Sequence, residues 1–366
     1  MARAAVATGV GVIEIKDFEA PKAGEGCLLI RIKACGVCGT DVHIFRGHRK
    51  VPFPLILGHE FSGVVEEIGE KASSRLHISG GELKVGEKVT VVPGVPCGRC
   101  YYCKNFPESP NLCQNRLIYG GNRPATAPPY FYGGFAEYIY VEPGAWVYKL
   151  PKEMPVEIGA LAEPAAVSTR ALSRATGVLG KASKATVVVQ GLGAIGLLAV
   201  AAAKVSGAKM VIGVDQVDQR LEMAQKMGAD EVIDMKECQT SEERVKRVME
   251  LTEGIGSDIT IECAGVPAAF REGIEFTRRG GKYVEVGHFA DPGGVEIRPH
   301  QICFRDMDVL GSWVYPMWQF SDSLKLLASG RFPFEEMFTH RFKVEETQQA
   351  IETAARGECI KALVTP

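Results

Sequence analysis

The stretch "VVVQGLGAIGLLAV", from Val187 to Val200, is the feature that most limits what this chain can fold into. It places Gly191, Gly193 and Gly196 in G-x-G-x-x-G spacing, after an apolar run and before a helix-forming run. The first glycine allows a tight turn, the second lets the backbone approach a pyrophosphate, and the third lets the helix pack on the strand. The stretch predicts a dinucleotide-binding loop, with the phosphates at the positive N-terminus of a helix.

An acidic residue supports this interpretation. Asp215 ends the next apolar run, 19 residues after Gly196. A carboxylate at this position binds both hydroxyls of an adenosine ribose and repels the additional 2′-phosphate of NADP. Arg220 is the residue that would pair with such a phosphate, but we expect Asp215 to dominate. The loop and the acid together favour NAD as the cofactor.

The order of predicted elements indicates the fold class. From about Lys184 to Trp313, apolar strands alternate with helices, which implies right-handed βαβ crossovers and a doubly wound parallel sheet of the Rossmann type. Short apolar runs broken by Gly and Pro precede this region, and two helices and a terminal strand follow it. We therefore predict an α/β protein with a dinucleotide-binding domain at 166–306, inserted into a discontinuous β-rich domain at 1–165 plus 307–366.

Composition excludes several classes of function. The 366 residues are 46% hydrophobic and 23% charged with a net charge of −2, which gives no basic surface for nucleic acid or membranes. The N-terminal stretch "MARAAVATGVGVIEIKDF" predicts a strand rather than a signal peptide, and we expect a cytoplasmic protein. Eleven cysteines fit a reducing compartment, where clustered cysteines more often bind metal than form disulfides.

Four cysteines are clustered in "VPCGRCYYCKNFPESPNLCQN", at Cys97, Cys100, Cys103 and Cys113. Four thiolates fill a tetrahedral zinc shell and leave no position for a substrate, so this site is predicted to be structural. Disulfides would leave the even three-residue steps unexplained. Taken alone, the cluster also fits a zinc-ribbon interaction module without catalysis, which the near-neutral charge opposes.

A second set of zinc-ligand residue types is scattered along the chain, at Cys38, His59, Glu60 and Glu163. Thiolate, imidazole and carboxylate groups are all good zinc ligands. Three protein ligands leave one tetrahedral position open for water or substrate, as a catalytic zinc requires.

The order of these motifs resembles that of the zinc-dependent medium-chain dehydrogenases. The motifs are a cysteine followed by G-T-D-V-H from Cys38, G-H-E ending at Glu60, the four-cysteine lobe, E-P at Glu163, and GLGAIG from Gly191. The resemblance runs essentially end to end and is closest to the polyol, sorbitol-type and threonine dehydrogenase branch. It implies that the β-rich domain is GroES-like and that each chain holds one catalytic and one structural zinc. It also implies a homotetramer, with a dimer as the alternative.

The same resemblance implies roles for individual residues. Cys38 and His59 would bind the catalytic zinc, and either Glu60 or Glu163 would complete the set. Thr40 would take the proton of the substrate hydroxyl and pass it, through the nicotinamide ribose, towards His43. Asp41 would orient His59 through its second ring nitrogen.

The substrate pocket is expected on the segment "GSWVYPMWQF". Val314 stands where the polyol enzymes of the branch have an Arg, whereas Tyr315 keeps their aromatic partner. Trp313, Tyr315 and Trp318 are predicted to wall an apolar slot, with a subunit interface or core packing as the alternative. We expect a secondary alcohol, either cyclic or a polyol with fewer hydroxyls than sorbitol, that is oxidised to a ketone. The alternatives within the class are an L-threonine 3-dehydrogenase and a sorbitol-type polyol dehydrogenase.

Overall fold

Short strands dominate the chain as far as Lys149, and helices and strands alternate from Ala162 to Gly311. The computed structural model describes residues 1–177 and 182–366. Among these residues the strands are β1 (Ala2–Gly9), β2 (Val12–Phe18), β3 (Leu28–Gly36), β4 (Leu55–Ile56), β5 (Glu60–Ile68), β6 (His77–Ser79), β7 (Lys88–Val91), β8 (Gly94–Val95), β9 (Leu117–Ile118), β10 (Tyr138–Val141), β11 (Trp146–Lys149), β12 (Thr186–Gln190), β13 (Met210–Asp215), β14 (Glu231–Asp234), β15 (Ser257–Glu262), β16 (Thr277–Glu285), β17 (Asp308–Gly311), β18 (Phe338–Lys343) and β19 (Lys361–Thr365). The helices are α1 (Gly39–Phe45), α2 (Ala72–Arg75), α3 (Tyr101–Asn105), α4 (Ala162–Thr176), α5 (Ala194–Val205), α6 (Asp218–Lys226), α7 (Ser241–Leu251), α8 (Pro267–Phe276), α9 (Pro299–Phe304), α10 (Phe320–Leu327) and α11 (Thr347–Ala355).

The described residues divide into two compact units. The first unit comprises Met1–Glu163, Pro316–Ala328 and Phe334–Pro366. The second unit comprises Pro164–Tyr315 and Ser329–Pro333. None of the helices in the described part of the chain has the length and hydropathy needed to span a membrane.

The second unit contains a parallel sheet in the order β14-β13-β12-β15-β16-β17. Its central strands are near-continuous apolar runs, because helices cover both faces of such a sheet. Val187, Val188 and Val189 of β12, for example, have no exposed surface. The chain runs from β12 outwards through β13 to β14, and then builds β15, β16 and β17 on the other side. The predicted doubly wound sheet is therefore confirmed, with its switch point between β12 and β15.

The first unit is built on a mixed sheet in the order β18-β19-β3-β5-β7-β11-β6, and β10 also pairs with β3. Strand β3 shows the alternation expected for a sheet with one buried face, since Ile30 and Ile32 are buried while Arg31 and Lys33 are exposed. A smaller sheet pairs β1 with β2 and β4, and β8 pairs with β9. This irregular β-rich unit carries both predicted zinc-ligand sets.

A buried ion pair fixes the end of β12 in the second unit. Arg244 Nε of α7 lies 2.6 Å from Glu272 Oε1 of α8, and both side chains are at least 90% buried. Gln190, the last residue of β12, donates to Glu272 Oε2 at 3.1 Å. Burial raises the pKa of Glu272, while Arg244 opposes that rise. The pair thus joins two helices to the residue that directly precedes the glycine loop.

We predict that Arg244→Met lowers the free energy of unfolding by about 3–5 kcal/mol, because it leaves a buried carboxylate without its cation. Arg247→Met, on an exposed face of the same helix, should change it by less than about 1 kcal/mol. Urea unfolding monitored by circular dichroism measures both values. The double variant Arg244→Met, Glu272→Leu should recover much of the lost free energy of unfolding. Equal losses of that free energy in Arg244→Met and Arg247→Met would contradict the prediction.

Candidate active site and metal centres

The glycine loop between β12 and α5 leaves open space where a pyrophosphate would lie. Gly191 has a φ of +79°, and a Cβ there would lie 2.6 Å from Ala264 Cα. A Cβ on Gly196 would lie 1.9 Å from the carbonyl oxygen of Gly191. A Cβ on Gly193, the N-cap of α5, would meet nothing within 4 Å. Two glycines are therefore required for packing, and the third faces the space that a phosphate at the helix N-terminus would fill.

Asp215, at the end of β13, is connected to this loop. Its Oδ2 accepts a hydrogen bond of 2.7 Å from the backbone N–H of Leu192, inside the glycine motif. Its Oδ1 accepts from the backbone N–H groups of Gln216 and Val217. Arg220 Nη1 lies 3.8 Å from Oδ2, so this guanidinium already faces the carboxylate. A carboxylate in this position fits the hydroxyls of an adenosine ribose.

The four-cysteine lobe has the spacing of a metal shell. The sulfurs of Cys97, Cys100, Cys103 and Cys113 all lie within 4.8 Å of one another, and all four cysteines are free. The Sγ of Cys100 is 3.5 Å from that of Cys103 and 3.9 Å from that of Cys113. A tetrahedron with Zn–S bonds of about 2.3 Å has edges of about 3.8 Å. Backbone N–H groups lower the pKa of the Cys100 thiol to about 6, whereas burial raises the pKa values of the Cys103 and Cys113 thiols.

The second ligand set is brought together by α1 and by the turn before β5. Ligand atoms of Cys38, His59 and Glu60 lie within 4.8 Å of one another. Asp41, which has no exposed surface, connects the two segments. Its Oδ2 accepts from the backbone N–H of Cys38 at 2.9 Å, and its Oδ1 accepts from the N–H of Gly58 at 3.2 Å. A thiol, an imidazole and a carboxylate in this arrangement fit a zinc ion with one open position.

Asp41 also faces the imidazole. Its Oδ1 lies 3.5 Å from His59 Nδ1. Burial opposes protonation of the His59 ring, but the charges of Asp41 and Cys38 outweigh burial and raise its pKa well above its ordinary value. A carboxylate on one ring nitrogen leaves the other nitrogen for a metal, which is the usual arrangement around histidine ligands.

The two candidate carboxylates have different surroundings. Glu60 belongs to the set of mutually close ligand atoms, and it forms an ion pair with the buried Lys361 of β19. Glu163 is also buried, but the described residues do not place it in that set. Sequence reasoning missed Lys361. The only signal was a charged residue within the apolar terminal strand "KALVTP", whose partner is 301 residues away in sequence (361 − 60).

Thr40 and His43 occupy one face of α1, because residues three apart on a helix are neighbours. The Oγ1 of Thr40 lies 3.7 Å from the Sγ of Cys38. His43 Nδ1 lies 3.3 Å from Nδ1 of His48, at the exposed end of this helix. Burial, and then the charges of His48 and Arg46, lower the pKa of His43. These contacts place Thr40 beside the ligand set and His43 towards solvent.

The predicted pocket residues differ in exposure. Tyr315 is buried, whereas Trp313 and Trp318 are about half exposed, at 50% and 51%. In the first unit, the indole Nε1–H of Trp318 donates to the carbonyl of Glu108 at 3.0 Å. Glu108 lies in the four-cysteine lobe, between Cys103 and Cys113. The sequence did not indicate this connection between the lobe and the tryptophan.

A glycine loop on a doubly wound sheet, together with a Cys-His-Glu set and a four-cysteine set, defines a dinucleotide-dependent oxidoreductase that binds zinc. Comparison with known families agrees with this class. The family described as "Zinc-binding dehydrogenase" matches residues 194–329, and "Alcohol dehydrogenase GroES-like domain" matches residues 24–152. The chain belongs to the zinc-dependent alcohol dehydrogenases of the medium-chain family, in their polyol branch.

Individual relatives match over nearly the whole chain. A sorbitol dehydrogenase of Halalkalibacterium halodurans is 32% identical over 360 residues, covering 98% of this chain and 97% of that protein. An L-threonine 3-dehydrogenase of Bacillus licheniformis is 32% identical over 351 residues, covering 94% of this chain and 93% of that protein. The solved structure of an alcohol dehydrogenase from Thermotoga maritima has a TM-score of 0.93 at 32% identity, covering 100% and 99% of the two chains. These matches confirm the predicted family, fold class and oxidoreductase activity, while the roles of individual residues stay predictions.

The glycine loop gives a test with an internal control. We predict that Gly196→Ala lowers the free energy of unfolding by about 1–3 kcal/mol, because its Cβ meets a backbone oxygen. Gly193→Ala should change stability by less than about 0.5 kcal/mol and weaken NADH binding at least about tenfold, since its methyl group enters the phosphate space. Urea unfolding and fluorescence titration with NADH measure the two effects. Undiminished NADH affinity in Gly193→Ala would refute this assignment.

Substitutions in the two predicted zinc-ligand sets should have different effects on zinc content, stability and activity. Cys97→Ser is expected to remove one zinc and lower the melting temperature, because a closed Cys₄ site contributes folding energy. Cys38→Ser is expected to remove the other zinc and abolish NADH formation, with nearly unchanged melting temperature. Zinc content by mass spectrometry, with thermal unfolding, checks both, and Cys303→Ser at an exposed free cysteine is the control. Loss of both zincs in either variant would contradict separate sites.

Proposed function

We propose that this chain oxidises a secondary alcohol to a ketone with NAD, on a catalytic zinc held by Cys38, His59 and Glu60. The observation that carries the proposal is the convergence of these three ligand atoms within 4.8 Å. Of the two carboxylates, Glu60 is the direct ligand in this proposal because it belongs to the converging set. Burial lowers the pKa of Lys361, but the charges of Glu60 and Cys38, with a smaller contribution from Glu163, outweigh burial and raise it.

The reaction divides between the bound groups and the protein. Bound zinc, held by Cys38, His59 and Glu60, would supply a Lewis acid that acidifies an alcohol, and bound NAD would supply the hydride acceptor. Asp41 keeps the imidazole of His59 in one orientation through Nδ1. The Oγ1 of Thr40, beside Cys38, would accept the proton of the substrate hydroxyl as it gives up its own proton, and the neutral ring of His43 would take up that released proton and deliver it to solvent. The depressed pKa of His43 favours the neutral ring, which can accept that proton.

The preference for NAD rests on Asp215. Both of its oxygens accept backbone hydrogen bonds, so the carboxylate is held in one position at the end of β13, where the ribose is expected. A 2′-phosphate would meet this charge directly. Arg220 faces the same carboxylate at 3.8 Å, and we propose that it acts mainly as the partner of Asp215.

The substrate proposal rests on the segment that contains Trp313, Tyr315 and Trp318. A polyol with many hydroxyl groups needs hydrogen-bond partners for each of them, and Val314 offers none where the branch's polyol enzymes have an Arg. We therefore favour a cyclic or aliphatic secondary alcohol. L-Threonine is the second candidate, because the Bacillus licheniformis relative is a threonine dehydrogenase at 32% identity.

The domain roles, the cellular location and the subunit number are proposed from the sequence and from the family resemblance. We assign the zinc chemistry to 1–165 plus 307–366 and cofactor binding to 166–306. The eleven free cysteines support a cytoplasmic location, where thiols stay reduced. The polyol-branch resemblance supports a homotetramer, with a dimer as the alternative.

A screen for NADH formation tests the function. Purified enzyme is assayed with cyclic and aliphatic secondary alcohols, sorbitol, xylitol and threonine, each with and without a zinc chelator. We expect secondary alcohols to give rates at least about tenfold above sorbitol and threonine, and the chelator to abolish them. The Cys38→Ser variant is the matched inactive control. Chelator-resistant activity would exclude the zinc mechanism, and a clear preference for sorbitol or threonine would replace the substrate proposal.

A further inference from the structure

Three titratable side chains meet at the carboxyl ends of β15 and β16, in a place that the proposed mechanism does not use. Glu262, Glu285 and His288 have carboxylate and ring-nitrogen atoms that all lie within 4.8 Å of one another. Glu262 has no exposed surface, and the side chains of Glu285 and His288 expose about a fifth, at 19% and 20%. We refer to these three residues as the acid cluster.

The backbone is shaped around Glu262. Its Oε1 accepts from the N–H groups of Ala264 and Gly265, both at 2.7 Å, and its Oε2 accepts from that of Gly287 at 3.1 Å. A Cβ on Gly287 would lie 2.4 Å from Oε2, so only glycine allows this approach. Three amide donors and one obligatory glycine make this a built carboxylate site rather than a chance contact of acidic side chains.

The second carboxyl group is equally constrained. Oε1 of Glu285 accepts from the backbone N–H of His288 at 3.2 Å and lies 2.7 Å from its Nδ1. Oε2 of Glu285 accepts from the hydroxyl of Tyr283 at 2.8 Å. Burial, and then the hydrogen bond and charge of Glu285, raise the pKa of Glu262 to about 8. The two carboxyl groups therefore retain a proton near neutral pH.

The other titratable groups facing the cluster are Tyr283 of β16 and Cys263, which follows β15. Burial raises the pKa of each above its ordinary value, with the cluster's negative charges adding to the rise. Both groups therefore stay neutral near neutral pH. The proposed proton exchange is therefore assigned to the carboxyl group of Glu262, which Glu285 contacts.

The position of the acid cluster at the ends of β15 and β16 is where the nicotinamide half of the cofactor is expected to bind. Ligands of doubly wound sheets bind outside the carboxyl ends of the strands, at the switch point. Asp215 ends β13, on one side of the glycine loop, so the adenosine half is expected there. The nicotinamide half then extends over the ends of β15 and β16, which carry Glu262 and Glu285. The glycine loop packs directly on this region, because a Cβ on Gly191 would lie 2.6 Å from Ala264 Cα.

We propose that the acid cluster distinguishes the charge of the nicotinamide ring, releasing a proton when the cationic ring of NAD⁺ binds and retaining it when the neutral ring of NADH binds. This proposal rests on the proposed use of NAD. The two forms of the cofactor carry the same phosphates and differ in charge only at the ring, where the cluster is expected to lie. A buried carboxylate interacts strongly with a nearby cation because the surroundings screen poorly. The cluster thereby contributes to the balance between bound NAD⁺ and bound NADH.

The direction in which NAD⁺ affinity changes with pH follows from the linkage between proton release and cofactor binding. Ionised Glu262 would attract the cationic ring, so NAD⁺ affinity should rise as pH increases through the pKa of Glu262, about 8. NADH affinity should change much less. The ratio Kd(NADH)/Kd(NAD⁺) is therefore expected to rise at least about tenfold between about pH 6 and about pH 9.5, since one linked proton contributes up to about tenfold per pH unit.

The experiment measures both dissociation constants in the zinc-loaded enzyme without alcohol, by NADH fluorescence and by NAD⁺ competition, across this pH range. Glu285→Gln keeps the shape but removes the hydrogen-bonded acid whose charge adds to burial in raising the pKa of Glu262, so we expect it to lower that pKa and to reduce the change of the ratio across this pH range. Glu242→Gln, at an exposed position on α7, is the matched control and should behave as the wild type. Thermal unfolding verifies that each variant is folded.

The outcomes separate the two proposals. Failure of the wild type to bind either cofactor would refute the proposed function. If both cofactors bind normally and the ratio varies equally with pH in wild type and Glu285→Gln, the proposed role of the acid cluster is overturned and the proposed function stands. The zinc site would then account for the pH dependence. A third zinc per chain that disappears in His288→Asn would also overturn it, by assigning the cluster to a metal.

Discussion

The proposed catalytic ligand set depends on one buried carboxylate, that of Asp41. Cys38 precedes α1 and His59 precedes β5, and the pairing of Gly36 in β3 with Glu60 in β5 brings the two segments side by side. Asp41 accepts from the backbone N–H of Cys38 and of Gly58, and it faces the ring of His59. A fully buried carboxylate is unfavourable unless such donors satisfy it. The same donors that stabilise its charge therefore hold the two ligand segments in register.

Much of this organisation could be predicted from the sequence because it depends on local patterns. Gly191, Gly193 and Gly196 specify a turn whose geometry is set within a few residues, and the apolar runs around them specify a buried parallel sheet. The four-cysteine lobe is similarly local, since its first and last ligands are 16 positions apart (113 − 97). The family resemblance added the order in which such local motifs follow one another.

The parts that could not be predicted are pairings between distant residues. Lys361 meets Glu60 only because β19 and β5 both flank β3. Glu285 meets Glu262 because β15 and β16 are parallel neighbours in a register that brings these two residues side by side. Sequence patterns indicate that a strand exists but do not give its neighbour or its register. Charged residues in apolar strands were the available signal, and their partners became visible only in the folded chain.

The hydrogen bond from Trp318 to the carbonyl of Glu108 connects the four-cysteine lobe to a residue of the predicted substrate pocket. The loop between Cys103 and Cys113 is held by metal ligands at both ends, so its backbone is a rigid support for the indole. A change in the length of this loop would move the tryptophan without altering any catalytic ligand. Because Trp318 is proposed to line the substrate pocket, the lobe proposed to be structural is also a place where we expect substrate preference to diverge between relatives while the hydride chemistry stays constant.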